Sequence, residues 1–311
     1  MANKFIDICK MSQDDLKKYV YAELKKSHNE VIEDDGYVYA QGKFPVLLVA
    51  HLDTVHKELP ELIQYDAFKG IYSSPQGIGG DDRCGVYMIL EVIKKYNCSV
   101  LFCEDEEIGT VGAEKFAKSK TAQSLSFNYI IEFDRANSHD AVFYDCDNPE
   151  FEAFITKEFY KTAHGSFSDI SVVAPELGCA AVNLSCGYYN AHTKDEYVVE
   201  QEMLDSIAAA CAILKRTTDE DKFEYIESKY AFKGKFSDWF DDYDVYNEFN
   251  LGDDYKPGSV SFYYVEYVDN KNKYQCEEVY GHTKTEAIGA FLMANKHLCY
   301  DDILDIYVSL K

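Results

Sequence analysis

Unbroken apolar runs recur along the N-terminal part of the chain, and they restrict its fold more than any other feature. Phe44-Pro45-Val46-Leu47-Leu48-Val49-Ala50 is one, and similar runs stand at 99–103, 128–133 and 180–184. A strand wet on one face alternates apolar and polar residues, whereas an unbroken run suits a strand covered on both faces. Helical spacing fills the intervals at roughly 84–95, 112–119 and 200–215. Strands alternating with helices predict an α/β three-layer sandwich around a mostly parallel central sheet. A further strand is expected at Tyr37-Val38-Tyr39-Ala40. A helix is expected over 12–26, where Ser12 precedes Gln13-Asp14-Asp15 as a capping residue does.

With 311 residues and 47% hydrophobic content, the chain is long enough for one large domain and an appendage. The α/β pattern occupies residues 1–216. Residues 217–257 are acidic and aromatic, as in DWFDDYDVYNEFNLGDDY, and show no clear period, so they read as a connecting region. From 258 to 311 the runs SVSFYYVEYVD, KYQCEEVY and ILDIYVSL, with a helical stretch near 283–297, predict a small α+β module of β-β-α-β order. Nothing in that module assigns it a role.

Asp and Glu total 55 against 31 Lys and Arg, a formal charge of −24. Nucleic acids and anionic membranes require a basic surface, so both are excluded as partners. No segment approaches the ~18 uninterrupted apolar residues of a membrane span. The opening MANKFIDICKMSQDD lacks the apolar stretch of a signal peptide. The ten cysteines are scattered without a C-x-x-C pair and lie among apolar neighbours. They read as buried thiols in a reducing compartment, so a cytoplasmic location is expected.

Open α/β sheets gather functional groups at the carboxyl ends of their strands. His51-Leu52-Asp53 follows the first buried run, and in H-x-D both side chains fall on one side of an extended chain. Asp53 can then hold the second imidazole nitrogen of His51, as a metal-binding histidine needs. Gly79-Gly80-Asp81-Asp82-Arg83-Cys84-Gly85 opens a helix, where the carboxylates fit either as capping groups or as cation ligands. Glu104-Asp105-Glu106-Glu107-Ile108-Gly109 follows the run at 99–103, and alone it is also compatible with a solvated acidic turn. Asp134 ends the run at 128–133, and His192 lies in a loop after the run at 180–184. The intervals from His51 through Asp81, Glu107 and Asp134 to His192 are 30, 26, 27 and 58 residues. Two imidazoles and three carboxylates therefore reach one edge of one sheet.

The stretches HLDTV, GGDDRCGV, EDEEIGTVGA and NAHTKDEYV, in this order, resemble the co-catalytic zinc exopeptidases. That clan holds peptidase T-like tripeptidases, glutamyl and leucyl aminopeptidases, and related amidohydrolases and carboxypeptidases. The resemblance implies a two-metal site with Asp81 bridging both ions. His51 and Asp134 would complete one ion, with Glu132 a rival for the latter, and Glu107 and His192 the other. Glu106 would be the general base and Asp53 the orienting partner of His51. A cis peptide at Asp81–Asp82 is also implied. The metals would be zinc, although manganese and cobalt suit the same donors.

Many clan members carry a dimerisation or lid domain between ligands, and the gaps of 58 and 30 residues leave room for neither. His164-Gly165-Ser166-Phe167-Ser168-Asp169 is similar to the clan's S/T-D loop near the substrate, which makes His164 and Asp169 candidate substrate-binding residues. Arg83 is expected to pair with local carboxylates, and His56 is assigned no role. The expected activity is a metal-dependent exopeptidase, an aminopeptidase on peptide N-termini. Its rivals are an amidase or deacylase on a small non-peptide amide, and a non-catalytic binding protein that kept the fold. Oligomerisation stays open.

Overall fold

The apolar runs form the middle of one eight-stranded sheet in the computed structural model, which describes residues 2–165, 167–228, 261–268, 274–281, 291 and 303–308. The chain divides into two units, Met1–Ala231 and Phe232–Lys311. The first unit begins with α1 (Ala2–Cys9), α2 (Gln13–Leu24), β1 (Glu30–Asp34), β2 (Tyr37–Gln41) and β3 (Phe44–His51). Next come β4 (Gln64–Asp66), β5 (Ile71–Ser73), α3 (Gly80–Val92), β6 (Cys98–Cys103) and α4 (Val111–Ala117). After a 3₁₀ turn at Ala122–Ser124 follow β7 (Tyr129–Arg135), β8 (Asp140–Val142), α5 (Pro149–Ile155) and β9 (Lys161–Ala163). The unit continues with α6 (Asp169–Leu177), β10 (Ala181–Ser185), β11 (Tyr188–Tyr189), β12 (Tyr197–Val199) and α7 (Glu200–Arg216).

The main sheet has the order β1-β2-β6-β3-β7-β10-β8-β9. Its four central strands, β6, β3, β7 and β10, run parallel. Alternate residues of β3 face opposite sides. Val46, Leu48 and Ala50 join a core with α1, α2, α3, α5 and α7, while Leu47 and Val49 join one with α4 and α6. An apolar residue is therefore required at every position, which is why the run is unbroken. Truncation of a wholly buried side chain such as Leu48 costs about 2–5 kcal/mol. This is the three-layer sandwich that the sequence predicts.

Ser12 caps α2 by accepting the Asp15 N–H at 3.1 Å. A second sheet, β11-β12-β5-β4, lies outside the sequence expectation, as do α1, α5 and α6. Residues past α7 still pack on this unit: Phe223 and Tyr225 lie against its cores, and Glu224 and Glu227 bridge to Cys179 and Cys146.

In the second unit, β13 (Ser261–Val268) pairs antiparallel with both β14 (Tyr274–Gly281) and β15 (Ile303–Val308). Val265 and Tyr267 are buried with the helical Phe291, whose ring lies 4.8 Å from that of Tyr267. The rest of the helical stretch expected near 283–297, and the connecting region from 229 on, lie outside the described residues.

Candidate metal centre

The parallel strands end level, since His51 pairs with Cys103 across β3 and β6. His51 is the last residue of β3, Glu106 and Glu107 follow β6, and Asp134 is the penultimate residue of β7. His192 lies in the turn between β11 and β12, and Asp81 in the first turn of α3, where the Asp81–Asp82 peptide is cis. Close packing sets this turn against β7. A Cβ on Gly85 would stand 1.9 Å from the Phe133 carbonyl and 2.5 Å from the Asp82 carboxylate, so only glycine fits.

Asp81 lies at the centre. Its Oδ1 is 3.1 Å from His51 Nε2, and its Oδ2 is 3.1 Å from His192 Nε2. His51 Nε2 also lies 3.3 Å from Asp134 Oδ1, and His192 Nε2 lies 3.2 Å from Glu107 Oε1. Two donor triads therefore share Asp81, namely His51–Asp81–Asp134 and Asp81–Glu107–His192, each with donor atoms within 4.8 Å of one another. The carboxylate of Glu106 lies within the same distance of His51 and Glu107 donors.

Neighbouring side chains fix these groups through the His51 imidazole, through backbone N–H groups and through a hydroxyl. Asp53 Oδ1 lies 3.1 Å from His51 Nδ1, and the Asp53 oxygens accept the N–H groups of Glu106 and Glu107 at 3.0 Å each. With Nδ1–H donated to Asp53, Nε2 presents its lone pair to the cluster. Asp82 accepts the His51 N–H at 3.2 Å and the Gly85 N–H at 2.9 Å. Ser168 Oγ donates within reach of both Glu132 (2.6 Å) and Asp134 (3.0 Å). Asn183 accepts the Asp134 N–H at 2.9 Å. Sequence reasoning missed Asp82, Ser168 and Asn183 in these roles, because each steadies a ligand 31 to 49 residues away in sequence.

The electrostatics are those of crowded anions. Burial pushes Glu106 up to about 10, with Asp134, Asp169 and Glu107 adding to the effect and His51 opposing it. Burial and the Asp81 charge raise Asp134 to about 7. Glu132 and Asp82 are raised well above the usual range by burial and by Asp134. Although burial opposes it, hydrogen bonds from His192 and His51 hold Asp81 below its ordinary value. Asp81 and Glu107 raise His192 to about 11. The set is short of positive charge.

Two expectations change. Asp169, proposed to touch substrate, is wholly buried at the start of α6, where burial pushes it up to about 7 against the pull of His51. It backs the cluster instead of facing a ligand. Arg83 is buried and donates to the carbonyls of Leu52 and Met11, not to carboxylates, tying the HLD turn to the N-terminal helices. His164 is exposed, and no hydrogen bond or ion pair joins it to the cluster among the described residues. Glu132 is buried behind Asp134 and bonded to Ser168, outside both triads. A cavity of about 440 Å³ opens beside the His192 turn, lined by Gln64, Ile71, Ser73, Lys194 and Tyr197 among others.

Three strand ends, the first turn of α3 and the β11–β12 turn thus deliver a mixed imidazole and carboxylate set, the donor chemistry of a zinc-type centre. Residues 37–177 match peptidase family M28. The matched stretch includes every member of the two triads except His192. This stretch of the chain is thus similar to the metallopeptidases of that family, in keeping with the clan that the four motifs resemble. Aminopeptidase PepT from Bacillus cereus ATCC 10987 has a similar structure, with a TM-score of 0.55 at 14% identity over 69% of this chain and 97% of that chain. An aminopeptidase from the archaeon Desulfurococcus kamchatkensis gives 0.54 at 16% identity, over 70% and 96%. The TET1 peptidase of Pyrococcus horikoshii, which can assemble into a tetrahedron or a large octahedral shell, gives 0.51 at 14% identity, over 68% and 98%. At such identities the likeness is one of fold. A sequence search of curated proteins finds no match.

Proposed function

We propose that the protein is a metal-dependent aminopeptidase whose M28-type domain holds two divalent cations, zinc by preference, bridged by Asp81. One observation carries this: the two oxygens of Asp81 each lie 3.1 Å from a different imidazole, with Asp134 beside one and Glu107 beside the other. The residues fit such ions. Glu107 Oε1 is a buried oxygen that faces His192 Nε2 at 3.2 Å without hydrogen-bond geometry, and the crowded carboxylates need compensating charge. Manganese and cobalt suit the same donors.

When bound, the cations supply Lewis acidity to the scissile carbonyl and lower the pKa of water. Glu106 takes the proton of the attacking water and returns it to the leaving amine, a task within reach of its place beside both triads. Asp53 keeps His51 and the Glu106–Glu107 backbone in register. Asp134 is steadied by Ser168 and Asn183.

The proposed substrate is a peptide with a free N-terminus, seated at the cluster of His51, Asp81, Glu107, Asp134 and His192. The eight cysteines within residues 2–228 are free thiols, which supports a reducing, cytoplasmic setting. Among the described residues no helix is long and apolar enough to cross a membrane. Assembly into oligomers is proposed by analogy with the TET1 fold.

The test is a panel of amino-acid p-nitroanilides, short peptides and their N-acetylated forms, assayed with zinc, manganese and cobalt. Cleavage that needs both a metal and a free α-amino group supports an aminopeptidase. Equal or better cleavage of the acetylated forms points instead to a deacylase, and no cleavage with any metal points to a binding protein.

A further inference from the structure

Glu196 is wholly buried four residues after His192, and it lies outside both donor triads. Its Oε1 accepts the Asp81 N–H at 3.0 Å, and its Oε2 accepts the Gly79 N–H at 2.8 Å. The same Oε2 lies 2.9 Å from Nε2 of His56, itself nearly buried. The carboxylate is therefore spent on the turn that carries Asp81, 115 residues away in sequence. A Cβ on Gly80 would come within 3.3 Å of Glu196 Oε1 and 2.8 Å of Val198 Cγ2, so the turn is pressed onto this side chain.

The segment between His192 and Glu196 is tied within itself. Thr193 Oγ1 donates to the Asn190 carbonyl at 2.7 Å, the Asn190 amide donates to the Asp195 carbonyl at 3.2 Å, and the Glu196 N–H bonds the Thr193 carbonyl at 3.3 Å. A segment closed by its own hydrogen bonds moves as a unit, so whatever anchors Glu196 also places His192.

From this geometry, and resting on the cation site proposed above, we infer that Glu196 is a positioning residue that locks the Asp81 turn to the His192 turn. Two ligands from distant parts of the chain then arrive at one spacing before any cation does. His56 is the third donor of that lock. A buried carboxylate with fewer partners would be costly, and here both oxygens are engaged. Because Asp81 belongs to both triads, loosening it should weaken both binding steps, whereas loss of His192 alone should weaken one.

The experiment is a zinc titration of the metal-free protein against a competing chelator, run well below the melting temperature measured for each variant. Wild type, Glu196→Ala, Glu196→Gln and His192→Ala are compared. Glu196→Ala is expected to weaken both zinc-binding steps by about 10–100-fold, the range for residues that orient metal ligands. Glu196→Gln should fall between it and wild type, since an amide oxygen still accepts the Asp81 N–H. It also serves if the alanine variant does not fold. A merely structural role would lower the melting temperature and leave the zinc affinity of folded protein unchanged, and that result in Glu196→Gln and Glu196→Ala overturns the inference. Wild-type protein that binds no zinc, manganese or cobalt fails at the first titration, and then the cation site itself is wrong.

Discussion

The Asp53 carboxylate lies 3.1 Å from Nδ1 of His51, and it is the same carboxylate that holds the backbone of Glu106 and Glu107. A residue that sets the imidazole and the catalytic turn together is expected to matter for metal and turnover alike. Asp53→Asn keeps one acceptor oxygen and replaces the other with a donor, which faces backbone N–H groups. Metal affinity should fall about 10–100-fold, and turnover of fully loaded protein should also fall. Equilibrium dialysis and kcat at saturating metal separate the two. Unchanged values for both would remove Asp53 from the account.

Glu106 and Glu107 are neighbours with separable roles. Glu107→Gln should weaken metal binding, because an amide cannot supply the anionic oxygen. Glu106→Gln should keep its metal and fold while turnover drops by at least ~10²–10⁴-fold, the range for a lost general base. KM should change far less than kcat, since proton transfer belongs to the transition state. Elemental analysis and steady-state kinetics on the two variants decide it. A Glu106→Gln enzyme with near-normal turnover contradicts the assignment.

Metal removal should reveal a pH dependence of stability with a definite sign. Burial raises Asp134 and Asp169 to about 7 in the folded chain, against about 4 when unfolded. Such a group favours the folded state fully below its unfolded pKa, and that contribution is lost as pH rises through its folded value. His192, raised to about 11 by Asp81 and Glu107, adds loss of the same sign at higher pH. Asp53 and Asp81 are shifted down, so their contribution is complete above about pH 4 and does not vary between 5 and 8. Metal-free protein should therefore melt at a higher temperature at pH 5 than at pH 8, and zinc added at pH 8 should restore the loss. A metal-free melting temperature that climbs from pH 5 to 8 would contradict this.

Gly85→Ala adds one methyl where β7 and the Asp82 carboxylate leave no room. The rigid neighbours are backbone, so overpacking should cost about 1–3 kcal/mol, and the Asp81 turn should shift with it. Denaturant melts measure the first effect and metal content the second. Wild-type values for both would mean that the turn is more yielding than its contacts indicate.

Much of this site is legible in the sequence because the signals are local. The period of two in H-x-D puts Asp53 beside His51, and unbroken apolar runs mark strands covered on both faces. The acidic run 104–107 is only half legible. Glu104 accepts from Lys17 of α2 and from the Gly36 N–H, and Asp105 accepts from Gln13 at 3.0 Å. Those partners lie 68 to 92 residues away, so only the fold could separate these two structural carboxylates from Glu106 and Glu107. Glu196 was hidden for the same reason. Strands β4 and β5 have three residues each with no alternation to detect, and α6 carries Pro175 within its nine residues. Asp169 looked like a loop residue because the helix it opens has so weak a signature.

The central claim is that Asp81 joins two cations. Anomalous diffraction from crystals of the metal-free protein soaked in zinc tests it most directly. Two peaks about 3.5–4 Å apart are expected, one beside His51 and Asp134, the other beside Glu107 and His192, with the Asp81 carboxylate between them. A single peak, or two peaks that do not share Asp81, would contradict the account.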